Sequence, residues 1–463
     1  MSNSSSSEEE EEGDNIIAGN DSNRGEYEPP SPSRRMRSSA GDVRVWPEPF
    51  IEALAFQVAV DASDSIGRFA VAPALFNLFL VCSTWREVSR SELLWKNLTR
   101  HVWNRHHLLQ PHHTWREEYV FRHRTHRNFR TRRHSYSTLH FNDNVEDDDD
   151  EENVLSCRRL ALSDRHLAAG FSDGSVRLFH LQSRIHLYTF LPNHRDLLGR
   201  FSCAVSGIIL SEIRLVFASH DGDIHVAPID NSVAARRARY GDALNDGVLV
   251  DFSGSNRWWV GLYAGVPGRA FHVWDAESEE LVFVGGTLTD SESVMGWNLL
   301  TELTNFVGRV RVTNHGLAIA CTSHRVMVFD LGNLGFIVAE EAPRRGVLVG
   351  SVDSNGESMV LVDRRGMGRV RVPGTLEEAC RFVVRGAAAG RMVVGCMNMG
   401  FVVMCIEGRW SVWEAENGGY LYDLRERIGA ASVMSVMSVD ECHVAAWSSG
   451  DWSRIHLWDF GER

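Results

Sequence analysis

The side chains best suited to chemistry crowd into one basic stretch. Residues 100–134 hold nine Arg and eight His against only Glu117 and Glu118. His106-His107 and His112-His113 have the donor type for a metal. Histidines in an Arg-rich helical segment are ordinarily solvated, however, and no metal is expected. Arg122, Arg124, Arg127, Arg130, Arg132 and Arg133 interleave with Phe121 and Phe129. Such a segment can grip a phosphate backbone or serve as a nuclear import signal. Against DNA stand the net charge of −13, the adjacent acidic run at 146–152 and the lack of a reading helix. Direct DNA binding is therefore not expected. No phosphate-cradling Gly loop, metal-spaced His/Cys set or nucleophile spacing stands out, so neither catalysis nor a cofactor is expected.

The elements that would carry these residues follow from composition. The 14 Trp and 39 Gly lean toward an all-β repeat fold, and 463 residues suit a small module plus a large one. No apolar run of about 18 residues exists, so no membrane span is expected. Eight cysteines are scattered without a C-x-x-C pair, which reads as buried thiols in a reducing compartment. Residues 1–42 are Ser- and Glu-rich without an apolar core, which excludes a usual secretory signal and reads as disorder. Within them Ser31-Pro32-Ser33 precedes Arg34-Arg35, a pattern for phosphorylation or a nuclear address. Lys96 is the only lysine, so 47 of the 48 basic residues are Arg.

From Trp46 the pattern turns helical. Phe50, Leu54 and Val58 recur every fourth residue, and Leu75, Leu78, Phe79, Cys82 and Trp85 form an apolar stripe. Leu93, Leu94, Trp95 and Leu98 begin a further helix. Three short amphipathic helices have little core of their own, so an apolar partner is expected. The order Pro47…Val81-Cys82…Trp85-Arg86…Leu94-Trp95 resembles the F-box, which docks on a Skp-family adaptor in cullin–RING ubiquitin ligases. The chain departs from it at Trp46, where Leu is usual, and by roughly a dozen extra residues around 61–72. The resemblance covers residues 43–98 and implies that Pro47, Phe50, Leu54, Leu78, Val81, Cys82, Trp85, Leu94 and Trp95 contact the adaptor. Residues 99–134 are similar to the helical linker of F-box/WD-repeat proteins, which implies that their Arg and His form solvated faces.

Behind the linker, from 135 to 463, a β-run, a tight polar turn and a second β-run ending in an aromatic–acidic pair recur. The strongest copies end in Leu178-Phe179, Trp274-Asp275, Phe329-Asp330, Trp413-Glu414 and Trp458-Asp459, and weaker ones at Val226 and Arg371. Their spacing of roughly 42–55 residues matches four strands plus turns, the period of WD-type propeller blades. Each aromatic anchor buried between blades contributes roughly 1.5–3 kcal/mol. The last unit ends at Phe460, leaving too little chain for its outer strand. An unsealed blade leaves raw sheet edges, and Tyr136–Phe141 alternates as a strand should, so it is the natural donor. The acidic run 146–152 then forms a surface loop. The expected architecture is α+β: a disordered tail, an F-box-like helical domain, a helical linker and an all-β seven-bladed propeller.

Two functions fit this layout. The first is a non-catalytic substrate receptor of an SCF-type ligase, with the adaptor on the helices and a protein target on the propeller. Target contacts then come from loops between the second and third strands of the blades. Asp173, His220, Asp221, Arg269, His324, Arg364 and Arg409 lie in such loops, and cations there favour an acidic or phosphorylated segment. The second is a transcriptional regulator acting through DNA or corepressor contacts of the basic linker and propeller. Trp258-Trp259-Val260-Gly261-Leu262, Ala264–Asp275, Phe283–Asp290 and Ile455–Phe460 also resemble a plant family of floral regulators. That resemblance implies a nuclear protein of flower and organ development.

Overall fold

The computed structural model describes residues 46–109, 112–141, 155–191, 198–229, 234–302, 307–342, 349–384, 393–406, 408–424, 435–451 and 453–461. The expected disordered tail, with its Ser31 motif, and the acidic run 146–152 lie outside the described residues. The chain divides into two compact units, Met1–Pro47 and Glu48–Arg463. In the first, Trp46 and Pro47 are exposed.

The helices of the second unit are α1 (Glu48–Ile66), a 3-10 turn (Arg68–Ala70), α2 (Val71–Phe79), α3 (Ser83–Val88), α4 (Glu92–Trp103) and α5 (Trp115–Thr131). Local chemistry fixes their starts. Ser91 Oγ accepts from the Leu94 N–H at 3.2 Å, and Thr114 with Glu117 forms a capping box on α5. The expected stripe Phe50/Leu54/Val58 is not the buried one. Helix α1 buries Ile51, Ala55 and Ala59 against Leu75, Leu94, Leu98 and Val102, because the two alanines let the neighbouring helices approach closely. The expected stripe from Leu75 to Trp85 is also broken: Cys82 is extended (φ −161°, ψ 177°), so α2 ends and α3 starts there.

The rest is a seven-bladed propeller of four-stranded antiparallel blades. The sequence anchors Phe179, Val226, Trp274, Phe329, Arg371, Trp413 and Trp458 each lie on the third strand of a blade. Trp274 and Trp458 are fully buried, as an inter-blade wedge requires. Arg371 replaces the ring with an ion pair to Glu341 on the preceding blade's outer strand. The links carry α6 (Ala243–Asp246) and α7 (Asp290–Asn298), and α7 accounts for the longest interval, from Trp274 to Phe329. Strand β1 (Ser135–His140) pairs antiparallel with Arg454–Asp459, Ser135 opposite Asp459 and His140 opposite Arg454. The ring is closed by the donor strand that the sequence indicates. Inner strands of the second and third blades meet where Gly207 faces Phe252; a Cβ on Gly207 would overlap the Phe252 carbonyl.

Strand alternation gives the propeller two unlike faces. Loops joining first to second and third to outer strands open on one face. Loops joining second to third strands open on the other, where every inner strand also begins.

Candidate functional site

Helices α1–α5 sit on the face of the loops joining first to second strands. Arg68 Nη1 donates to the Met399 carbonyl at 2.6 Å and Nη2 pairs with Glu357 at 3.1 Å. Met399 and Glu357 both lie between the first and second strands of their blades. The residues that look like an insertion in the F-box pattern are thus the tether to the propeller. Helix α5 completes the seat. Phe129 is fully buried and stacks on Phe460 and Phe401 at 3.7 and 5.1 Å, and Asn128 Nδ2 donates to the Phe460 carbonyl at 2.8 Å.

This corrects the reading of the linker as solvated faces at Arg122 and His126, which are buried. Arg122, 2% exposed, donates to Glu118 at 2.8 Å and lies 3.5 Å from Asp164 in the first blade. Burial opposes ionisation of Glu118, but Arg122 and the hydrogen bond from His112 outweigh it and hold the carboxyl below its usual range. Arg130 pairs with Glu414 at 3.1 Å, and Arg132 lies over Tyr422. Arg124, Arg127 and Arg133 remain at least partly exposed, so the basic, aromatic stretch is not one continuous face. His106 and His107 are exposed and His113 is exposed, while His112 bonds Glu118 at 2.6 Å. Among the described residues no cluster of three metal-type ligands occurs.

The end of the helical module away from the tether is apolar and bare. The short turn between α1 and α2 sets the start of α1 beside the end of α2, and α3 leads straight to the start of α4. Phe50, Phe76, Leu80, Val81 and Leu93 are there 46–62% exposed. Of the residues expected to face an adaptor, Phe50, Val81 and Cys82 are exposed, Leu54 and Trp85 half-buried, and Pro47 is exposed in the first unit. Leu78, Leu94 and Trp95 are buried in the module's own core, and Trp95 Nε1 donates to the Ser89 carbonyl at 2.7 Å. They shape that end rather than present it. Phe76, Leu80 and Leu93 are additions that the F-box pattern does not single out. Phe76 and Leu80 nevertheless form an i, i+4 apolar pair beside the buried Leu75–Leu78 ridge, a signal present in the sequence.

On the opposite face, all seven loop candidates lie between or next to second and third strands. Asp173, His324 and Arg409 are exposed, and Asp221, Arg269 and Arg364 half-buried. Several are already engaged: Asp173 accepts from Ser175, Arg269 pairs with Asp246 at 2.5 Å, and Arg409 with Asp423 at 2.5 Å. His220 departs from expectation. It is fully buried, bonds the Leu249 carbonyl at 2.8 Å, and is pushed down to about 3 by burial and by Arg158. It supports the channel mouth and cannot touch a target from the surface.

No family model matches the chain. It is 55% identical over 440 residues to the transcriptional regulator STERILE APETALA of Arabidopsis thaliana, covering 94% of this chain and 96% of the relative. Among solved structures, the β-propeller domain of Cps50 (Swd1) from Myceliophteria thermophila is 12% identical, covering 66% of this chain and 97% of that one, with a TM-score of 0.49. The computationally designed Ika8 protein is 14% identical, covering 67% and 98%, with a TM-score of 0.44.

Proposed function

We propose that this chain, which belongs to the STERILE APETALA family, is a nuclear regulator of transcription that works by holding other proteins and not by catalysis. The observation that carries this is the 55% identity over 94% of the chain to a relative named as a transcriptional regulator. That name supports transcriptional control better than it supports the ubiquitin-ligase reading. Protein contacts through the open propeller face suit it better than DNA contacts, because Arg122 and Phe129 are consumed by the chain's own packing. Tethering the full chain to a reporter promoter in plant nuclei should change transcript output. An unchanged reporter, or a protein that stays out of the nucleus, overturns the reading.

A second reading is supported by the bare apolar end of the helical module. There the chain docks a Skp-family adaptor of a cullin–RING ligase and offers a propeller-bound nuclear target, supplying proximity alone. The two readings are compatible, since removal of a regulator alters transcription. Phe76→Ala with Leu80→Ala and Val81→Ala should cut adaptor capture by more than about tenfold, as buried apolar anchors commonly do. Leu94→Ala with Trp95→Ala should instead melt the module. Undiminished capture by the folded triple variant removes the F-box assignment.

A further inference from the structure

Rings close most of the seams between blades. In the first, third, fourth and sixth blades the pairing of third and outer strands slips by one residue just before Phe179, Trp274, Phe329 and Trp413. Each ring packs back on the preceding blade: Phe329 meets Phe271 at 4.7 Å, and Trp413 meets Phe382 at 4.9 Å. In the second blade, whose third strand carries Val226, Phe190 and Phe217 fill the seam instead. The fifth blade slips at the same point, between Val370 and Arg371, and sets a guanidinium where its neighbours set a ring. Side chains alternate across a strand, so Arg369 points to the fourth blade as Arg371 does.

The exchange leaves a cleft of about 200 Å3 between the fourth and fifth blades. Val326, Val349 and Leu361, all buried, form its floor. Arg369, Arg371 and Arg381 also line it, with the carboxylates Glu341, Asp363 and Glu378. Arg371 is paired with Glu341, yet its buried Nε has no hydrogen-bond partner. The other two cations are loosely answered. Arg369 lies 3.6 Å from Glu378 and 3.8 Å from Asp363, and Arg381 lies 3.7 Å from Glu378. A close charge-assisted bond spans about 2.7–2.9 Å. Of the loop candidates, His324 stands two residues before Val326 and Arg364 directly follows Asp363, which adds positive charge beside the cleft.

We infer that this cleft is a docking site for an extended peptide segment of a partner protein, one that inserts an aromatic side chain and carries a carboxylate beside it. The ring takes the place of the anchor that the fifth blade lacks, on a floor that is already apolar. A backbone carbonyl of the segment answers Arg371 Nε, whose burial without a partner is otherwise costly. The carboxylate comes within reach of Arg369 and of Arg381, which is 72% exposed at the rim. A basic flank meets three arginines and is disfavoured. The inference deepens the proposed function by naming where and by what chemistry a protein is held, and it rests on that reading for the partner's role alone.

The test uses the purified full chain and two display libraries of short peptides, one with Trp or Phe fixed at the centre and one with Ser there, both randomised elsewhere. The aromatic library should enrich binders by about tenfold or more over the Ser library, with Asp or Glu recurring beside the ring. Arg371→Trp supplies the ring from within the chain. It should melt no lower than the parent and weaken the selected peptides by about tenfold or more. Arg381→Glu, at an exposed position, should weaken the acid-flanked peptides and bind their Lys-flanked versions instead; it decides alone should Arg371→Trp fail to fold. Absence of enrichment by the central ring overturns the cleft, and so do peptides that bind the parent and the folded variants alike. A chain that drives the reporter without binding these peptides keeps the proposed function and loses the cleft. Peptide binding by a chain that leaves the reporter unchanged does the reverse.

Discussion

His126 concentrates the chemistry of the helix–propeller seat in one ring. Both its nitrogens lack hydrogen-bond partners, Phe69 and Phe401 lie 4.5 and 4.6 Å away, and a Cβ on Gly400 would overlap it. Burial, then Arg68, His123 and Arg130, push the ring down to about 3, so it is neutral when folded. In the unfolded chain it takes a proton below about pH 6.5. Its contribution is therefore complete above that pH and is lost as pH falls toward 3, at about 1.4 kcal/mol per unit. Replacing it by Leu should flatten the acid limb by about 2 kcal/mol between pH 6.5 and 5. Urea unfolding at pH 7.5 and 5 measures this; His220 and His272, also depressed, steepen parent and variant alike. An unchanged pH slope in the variant would sink the assignment. From sequence His126 is one His among eight in an arginine-rich stretch. Its burial depends on Phe401, some 275 residues further along the chain, which no local pattern encodes.

At the scale of elements, β1 and α5 act together. A chain beginning at Asn153 loses the strand that pairs with Arg454–Asp459 and should aggregate through the bared edge. A chain beginning at Arg132 keeps β1 and stays closed, yet it strips Phe129 from Phe401 and Phe460. It should be less stable than a chain beginning at Glu48 by at least the roughly 3–5 kcal/mol that a buried Phe contributes. Equal melting of these two chains would make α5 a passive spacer. The blades were legible because an anchor recurring on every third strand is a local, periodic signal, and the donor strand followed from counting residues after Trp458. The buried face of α5 was not legible: Arg122 looks solvated until Glu118 and Asp164 close around it. Nor was the dock end fully legible, because Leu94 and Trp95 carry the same apolar signal whether they face a partner or their own core.

Across the whole molecule α1–α5 cover one propeller face, and the loops joining second to third strands lie on the other with α6 and α7. Under the ligase reading, a receptor beside a ubiquitin-charged enzyme exposes its own surface to acyl transfer, and the near-absence of lysine then has a physical meaning. Lysine amines are acyl acceptors. A guanidinium keeps the charge and hydrogen bonding, yet its pKa above about 12 and delocalised electrons make it a poor nucleophile. Lys96, half-buried next to Trp95, is the only lysine of the 463 residues. A GC-rich coding sequence also favours Arg over Lys, and the two explanations part on function. Arg364→Lys, Arg365→Lys and Arg409→Lys place amines on the open face, where a bound target would be modified, without altering formal charge. Under the ligase reading this triple variant should acquire ubiquitin and turn over faster than the parent. The acceleration should vanish when Phe76, Leu80 and Val81 are also replaced by Ala. Turnover equal to the parent's, in a variant that still captures the adaptor, would leave codon composition as the sufficient cause.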